Sequence, residues 1–220
     1  MFRYFKSINI MLKKFIAICT VVLAALSFNL SVQAAEYKEG VNYQVRSQSL
    51  TPHKEIREFF SFWCGHCYSL QGDFDVIARS FPQAKFERNP VSMLGGYMGP
   101  ESQRGLIVAK NLGIEDLYVK ELFKQMHEEG KIPMSHDDMV TFMASIGVAK
   151  TKLEQEFNSF VTLGQVAKLD KWAKDADIDA VPEILVNGKY LVTMESVESR
   201  DDLIALIDYL LNKDKLPDAK

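Results

Sequence analysis

The sequence predicts an α/β fold interrupted by an inserted helical domain, and three observations carry that prediction. An apolar strand pattern leads into a helix and then a second strand between "KEIREFFSFW" and "AKFERNPVS". The following stretch of about 70 residues shows helical periodicity and capping signals without strand alternation. Beyond it, "AVPEILVNGKYLVT" returns to strand character, and an amphipathic helix closes the chain.

The elements follow in order. After a polar linker at 35–40, "VNYQVR" reads as a short strand. "KEIREFFSFW" is a stronger one, and its latter half is apolar enough to be buried on both faces. A helix begins at Gly65, carries Leu70, Phe74, Ile77 and Ala78 on one side, and ends near "SFPQ". "AKFERNPVS" is the next strand. In the insertion, one helix through "GLIVAKNLG" stops near Gly113, and one with Ile114, Leu117, Leu122 and Met126 stops at Gly130. Ser135 with Asp138 opens a third, and Thr151 with Glu154 forms a capping-box pattern at the start of "KLEQEFNSFV". "GQVAKLDKWAKDADI" is helical, Asn187-Gly188 signals a two-residue hairpin turn, and "VESRDDLIALIDYLL" is the last helix. The expected division is a leader at 1–34, a discontinuous α/β domain at 35–98 and 165–220, and a helical insertion at 99–164.

Composition excludes several function classes. The chain has 220 residues, 47% hydrophobic and 25% charged, enough for one domain with a substantial core. A net charge of -3 and the lack of any Lys/Arg cluster argue against a nucleic-acid partner. At the N-terminus, Lys13 and Lys14 precede the apolar run "FIAICTVVLAAL", with small residues at Val32 and Ala34. That is a secretory signal peptide cleaved after Ala34, and its core is shorter than the roughly 20 residues of a membrane span. Met11 is an alternative start, because "MLKKFIAICTVVLAALS" alone makes an ordinary signal. Cys19, preceded by the bulky Ile18, does not fit a lipidation site. Removing the leader takes away four basic residues (Arg3, Lys6, Lys13, Lys14), leaving 22 basic against 29 acidic, net -7.

Only Cys64 and Cys67 then remain, in "EFFSFWCGHCYSL". A disulfide-stapled scaffold is excluded. A closed zinc site needs four ligands, whereas His53, His66, His127 and His136 are scattered. A c-type haem needs His directly after the second cysteine, and Tyr68 stands there. Two inert buried cysteines would be ordinary in other settings. A C-x-x-C after a strand in an exported chain instead points to a redox dithiol, since the compartment lets the pair cycle.

A strand ending in an aromatic before C-x-x-C, a helical insertion, and then "VPEILVNGKY" together resemble the thioredoxin fold of the DsbA family of periplasmic thiol:disulfide oxidoreductases. The similarity runs from "YKEGVNYQV" through "VSMLGG" and "EFNSFV" to the last helix. It implies that Pro182, after Val181, is a cis-proline packed against the C-x-x-C, with the Val181 backbone offered to an extended substrate. It also implies that Glu58 is a buried acid handling the Cys67 proton; on sequence alone, Glu58 reads as a strand-end surface acid. Two positions depart from the family. Gly65 stands where its best-known members carry proline, giving the "CGHC" of eukaryotic protein disulfide isomerases, and Gln71 replaces an acid four residues after the second cysteine.

The residues support a division of labour. Cys64 at a helix N-terminus sits where unpaired N–H groups and the helix dipole favour an anion, and His66 can add charge or a hydrogen bond. Cys64 is then the attacking sulfur, and Cys67, one turn in and facing the packed side, the resolving one. Met93, Leu94, Met98 and Leu106 are either an apolar partner groove or core.

The expected function is a monomeric periplasmic dithiol oxidase that introduces disulfides into unfolded or reduced exported proteins. The resemblance implies reoxidation by a membrane quinone-linked thiol oxidase, with no organic cofactor and no metal. An isomerase or reductase of the same fold is the alternative that Gly65 favours, though no N-terminal dimerisation module is recognisable. Outside enzymes, Cys64 and Cys67 could carry Cu(I), but no Met or His motif accompanies them at ligand spacing.

Overall fold

Strand β2, Glu55–Phe60, is the axis on which the molecule is built, because five of its six residues are buried and it is paired on both sides. The computed structural model describes residues 37–47 and 49–216. Beside β2 lie β1 (Tyr43–Val45), β3 (Lys85–Pro90), β4 (Glu183–Val186) and β5 (Tyr190–Val192), in the order β1-β5-β4-β2-β3. Of the strand pairs among the described residues, only β2–β3 is parallel. The antiparallel β4–β5 pair turns through Asn187 and Gly188, at φ of 52° and 67°. Those left-handed values suit the Asn-Gly turn whose twist matches the flanking strands.

The helices are α1 (Gly65–Ser69), α2 (Gln71–Ser80), α3 (Met98–Asn111), α4 (Glu115–His127), α5 (His136–Ser145), α6 (Lys150–Phe157), α7 (Phe160–Asp175) and α8 (Arg200–Lys213). One face of the sheet presents Ile56, Ile184 and Val186 to Phe74 and Ile77 of α2 and to Leu203, Leu206, Ile207 and Leu210 of α8. The other presents Phe59, Leu185 and Leu191 to Trp172 and Ala176 at the end of α7. The inserted helices close around Tyr118, Leu122, Phe123, Met139, Leu153 and Phe157, and the same cluster takes in Phe60, Phe62 and Cys67. The insertion therefore shares its core with the C-x-x-C turn.

Three local expectations change. The single helix from Gly65 to "SFPQ" is broken at Leu70, where the Cys67 carbonyl accepts the Gln71 side-chain amide and the His66 carbonyl the Ser69 hydroxyl. Thr151 does not cap a helix. α6 starts two residues earlier, at Lys150 behind Ala149, whose carbonyl accepts the Lys152 and Leu153 N–H groups. The "EFNSFV" stretch is split at Asn158, after which Ser159 caps α7 by accepting the Thr162 N–H at 3.1 Å. The cap at Ser135 does form, accepting the Asp138 N–H at 3.1 Å.

Candidate active site

The ladder ends at Phe60, and a tight turn carries the chain into α1. The Ser61 hydroxyl accepts the Trp63 N–H at 3.2 Å, and the Ser61 carbonyl accepts the Cys64 N–H at 3.1 Å. Cys64 thereby becomes the N-cap of α1 with extended backbone, and its Sγ accepts the Cys67 N–H at 3.0 Å. An oxygen usually occupies that position. Here a sulfur does, so the unpaired N–H end of the helix is directed at the atom on which a thiolate charge would sit. Cys64 Sγ also lies 3.7 Å from the Val181 carbonyl oxygen. The Val181–Pro182 peptide bond is cis.

The two thiols, both free, occupy different environments: Cys64 is partly exposed and Cys67 is 0% exposed. Burial, reinforced by contact with Cys64 and by the Glu58 carboxyl, pushes the Cys67 thiol far above its ordinary range. A buried thiolate there is costly unless a proton reaches it.

Glu58 is the nearby acid. It sits in the middle of β2, opposite Arg88 on one side and Ile184 on the other, and is 0% exposed. Burial pushes its carboxyl up to about 7, against the opposing pull of the Arg88 guanidinium and the Gln71 amide. Gln71 Nε2 donates at 3.2 Å to Glu58 Oε1 and at 3.2 Å to the Cys67 carbonyl. Glu58 Oε2 is buried without a hydrogen-bond partner.

His66 is exposed, and its ring makes no hydrogen bond among the described residues. With Val181 and Pro182 it lines a cleft of about 390 Å³ that also holds Asp179, Glu183 and Glu195. Burial pushes the Glu183 carboxyl up to about 7. A Cβ at Gly65 would meet nothing within 4 Å, so packing does not demand glycine there. Met98 and Leu106, at 3% and 0% exposure, belong to the core, whereas Met93 and Leu94 are exposed beside the site loop.

Sequence reasoning missed how the insertion grips this loop. His127 of α4 places Nε2 2.8 Å from the Phe62 carbonyl oxygen, which makes that nitrogen the donor. Its ring stacks on Tyr68 at 4.8 Å, and the Tyr68 hydroxyl donates to Glu128 at 2.8 Å. On the other side, Gly95 has φ of +84°, and a Cβ there would fall 2.5 Å from the Trp63 ring. A lone histidine in a helix gives no signal of such a role; the Gly-Gly of "VSMLGG" was the only trace of the second contact. Among the described residues no group of three or more His, Cys, Asp and Glu is placed to hold a metal ion.

A thioredoxin-like sheet with an inserted helical bundle, carrying a C-x-x-C dithiol at a helix N-terminus, defines the class: a thiol:disulfide oxidoreductase that acts through Cys64 and Cys67. A family model described as the DSBA-like thioredoxin domain matches residues 55–205, and the chain belongs to that family. The thiol:disulfide interchange protein DsbA of Pseudomonas aeruginosa PAO1 is 31% identical, over 90% of this chain and 96% of its own. DsbA of Escherichia coli O6:H1 is 30% identical, over 80% of this chain and 86% of its own. A crystal structure of a P. aeruginosa DsbA variant superposes with a TM-score of 0.74 at 28% identity, covering 81% of this chain and 98% of the other. These relatives favour disulfide exchange over Cu(I) delivery.

Membership of this family implies interaction with unfolded substrate proteins and a membrane reoxidase, and a periplasmic location after signal-peptide cleavage. The predicted leader lies outside the described residues.

Proposed function

We propose that the protein is a net oxidase: a monomer that passes its Cys64–Cys67 disulfide to reduced exported proteins and is reoxidised by a quinone-linked membrane partner. The observation that carries this reading is the asymmetry of the dithiol, one sulfur partly exposed at a helix N-terminus and the other 0% exposed. In the proposed cycle a substrate thiolate attacks Cys64 Sγ, breaking the Cys64–Cys67 bond and forming a mixed disulfide. Cys67 leaves as a thiolate and takes a proton from Glu58. A second substrate thiol then displaces Cys64, so the substrate leaves oxidised and the enzyme as the dithiol.

The remaining assignments rest on the same geometry. The Val181 carbonyl beside Cys64 is proposed to receive an extended substrate segment against cis-Pro182. A DsbA variant from Proteus mirabilis, 30% identical with a TM-score of 0.72, has been crystallised with the non-covalently bound peptide PWATCDS. His66, exposed next to Cys64, is proposed to contact the substrate or the developing thiolate. Gly65 makes the turn less constrained than a proline would, and on it rests the alternative of an isomerase or reductase. Cleavage after Ala34 and the division at 98/99 and 164/165 are proposed as well, although α7 runs unbroken across the second boundary.

The discriminating experiment uses two substrates. Given a reduced, unfolded disulfide-containing protein and no other oxidant, the oxidised chain should transfer about one disulfide per molecule, losing its own. Given the same protein with scrambled disulfides, the reduced chain should restore little native activity. The reverse pattern would make it an isomerase.

A further inference from the structure

We propose that Gln71 is a positioning residue for proton transfer at Cys67, pinning one oxygen of Glu58 so that the other is left to carry the proton. The inference rests on the proposed pairing of Glu58 with Cys67 and goes beyond it to a residue at which this chain departs from its family. One side-chain nitrogen, with two hydrogens to give, spans both groups: Gln71 Nε2 is 3.2 Å from Glu58 Oε1 and 3.2 Å from the carbonyl oxygen of Cys67. The i to i+4 spacing of Cys67 and Gln71 makes this reach possible, and the break at Leu70 leaves the Cys67 carbonyl open to it.

Three features turn this contact into a device for handling a proton. Glu58 Oε2 is fully buried and without a partner, so a proton placed there is not shared with another group. The amide itself neither gains nor loses a proton at working pH, so it holds Glu58 in either charge state. Gln71 also lines a cleft of about 320 Å³, with Tyr68, Asp75, Arg88, Lys124 and Glu128, and stands between that cleft and the buried acid. The charged groups facing Glu58 are Arg88 from β3 and Asp75 from α2, with Cys67 from α1. Arg88 is itself paired with Asp75 at 3.5 Å and with Asp116 of α4 at 2.6 Å. None of these spans Glu58 and Cys67 through a single atom as Gln71 does.

The step it serves balances without any further reactant. When the Cys64–Cys67 disulfide is attacked, two electrons arrive on the pair and Cys67 leaves as a thiolate; the Glu58 proton moves to it, giving thiol and carboxylate. When the dithiol is reoxidised, the carboxylate takes the proton back as Cys67 attacks the mixed disulfide on Cys64, and the partner's sulfur departs with the electrons. Because the Gln71 N–H favours the carboxylate, losing it should leave a smaller fraction of Glu58 deprotonated, and so free to take the proton, at neutral pH.

The test follows this second direction in isolation. Glutathione is loaded on Cys64, and the rate at which Cys67 displaces it is measured from pH 5 to 9 in the parent, Gln71→Met and Glu58→Gln chains. The parent rate should rise with a midpoint near 7, the value to which burial pushes Glu58. Gln71→Met, of similar size but with no donor, should move the midpoint up by about one unit, slowing the step about five-fold at pH 7 and little at pH 9. A purely structural role for Gln71 would lower the rate at every pH and leave the midpoint in place, and that result would overturn the proposal. Glu58→Gln should remove the inflection near 7. If the inflection survives in Glu58→Gln, the pairing of Glu58 with Cys67 fails and the role of Gln71 fails with it; if only Gln71→Met leaves the midpoint unmoved, the pairing stands and Gln71 alone is excluded.

Discussion

Replacing Cys67 with alanine should convert the protein into a trap: turnover is abolished, and a stable mixed disulfide accumulates on Cys64. The reason is the geometry of the pair. Cys64 Sγ is partly exposed at the N-cap of α1, so an external disulfide can still reach it. In the parent chain the resulting mixed disulfide is short-lived, because the Cys67 N–H already lies 3.0 Å from that sulfur and the Cys67 thiol is one helical turn away. Without Cys67 there is no internal nucleophile, and release waits for a second external thiol. Intact mass after incubation with oxidised glutathione should show one glutathione per chain, mapped to Cys64. The complementary Cys64→Ala chain should remain unmodified, since Cys67 is 0% exposed and its thiol is held far above the ordinary range. Equal loading of the two variants would mean that the sulfurs are interchangeable and that the assigned roles are wrong.

Glu58→Gln should stabilise the reduced protein at pH 7 by up to about 3 kcal/mol. The sign follows from the direction of the shift. Burial raises the Glu58 carboxyl from its ordinary 4.5 to about 7 in the folded chain. Between those values the unfolded chain has given up the proton and the folded chain retains it, so stability falls as pH rises through that window and levels off above 7. A glutamine has no proton to lose and escapes the penalty. Denaturant unfolding of the reduced chains at pH 5 and pH 8 should therefore show a gap between variant and parent that is small at pH 5 and large at pH 8. The parent's total pH dependence will exceed this gap, because Glu183 is also raised to about 7 by burial and contributes with the same sign. A gap independent of pH would show that Glu58 is not a buried acid titrating near neutrality.

The sequence disclosed the chemistry of the site more fully than its supports. C-x-x-C after an apolar strand, a helix starting at Gly65 and the Asn187-Gly188 turn are local signals, each set by a few adjacent residues, and each stands where expected. Glu58 was opaque on its own. In "REFF" it reads as a surface acid, and its burial depends on β3 and β4, both distant in sequence, and on the start of α2 beyond the site turn. His127 was invisible for the same reason: 65 residues separate it from the Phe62 carbonyl that it holds. Thr151 misled because a capping-box pattern reads only local side chains, and the chain entered α6 through Ala149 instead, with no side-chain cap. The four apolar residues near the site could not be sorted in advance. Met98 and Leu106 point inward from α3, and Met93 and Leu94 stand exposed in the loop before it.

Whether this dithiol is poised to give its disulfide away is decided by the equilibrium of the Cys64–Cys67 couple against glutathione at pH 7. The N-cap geometry at Cys64, with the Cys67 N–H on its sulfur, stabilises the reduced form. The potential should be less negative than about -220 mV, so that the pair is reduced by a glutathione buffer that leaves structural disulfides intact. A potential near -270 mV, in the range of cytosolic thioredoxin, would make the protein a reductant and contradict the oxidase reading.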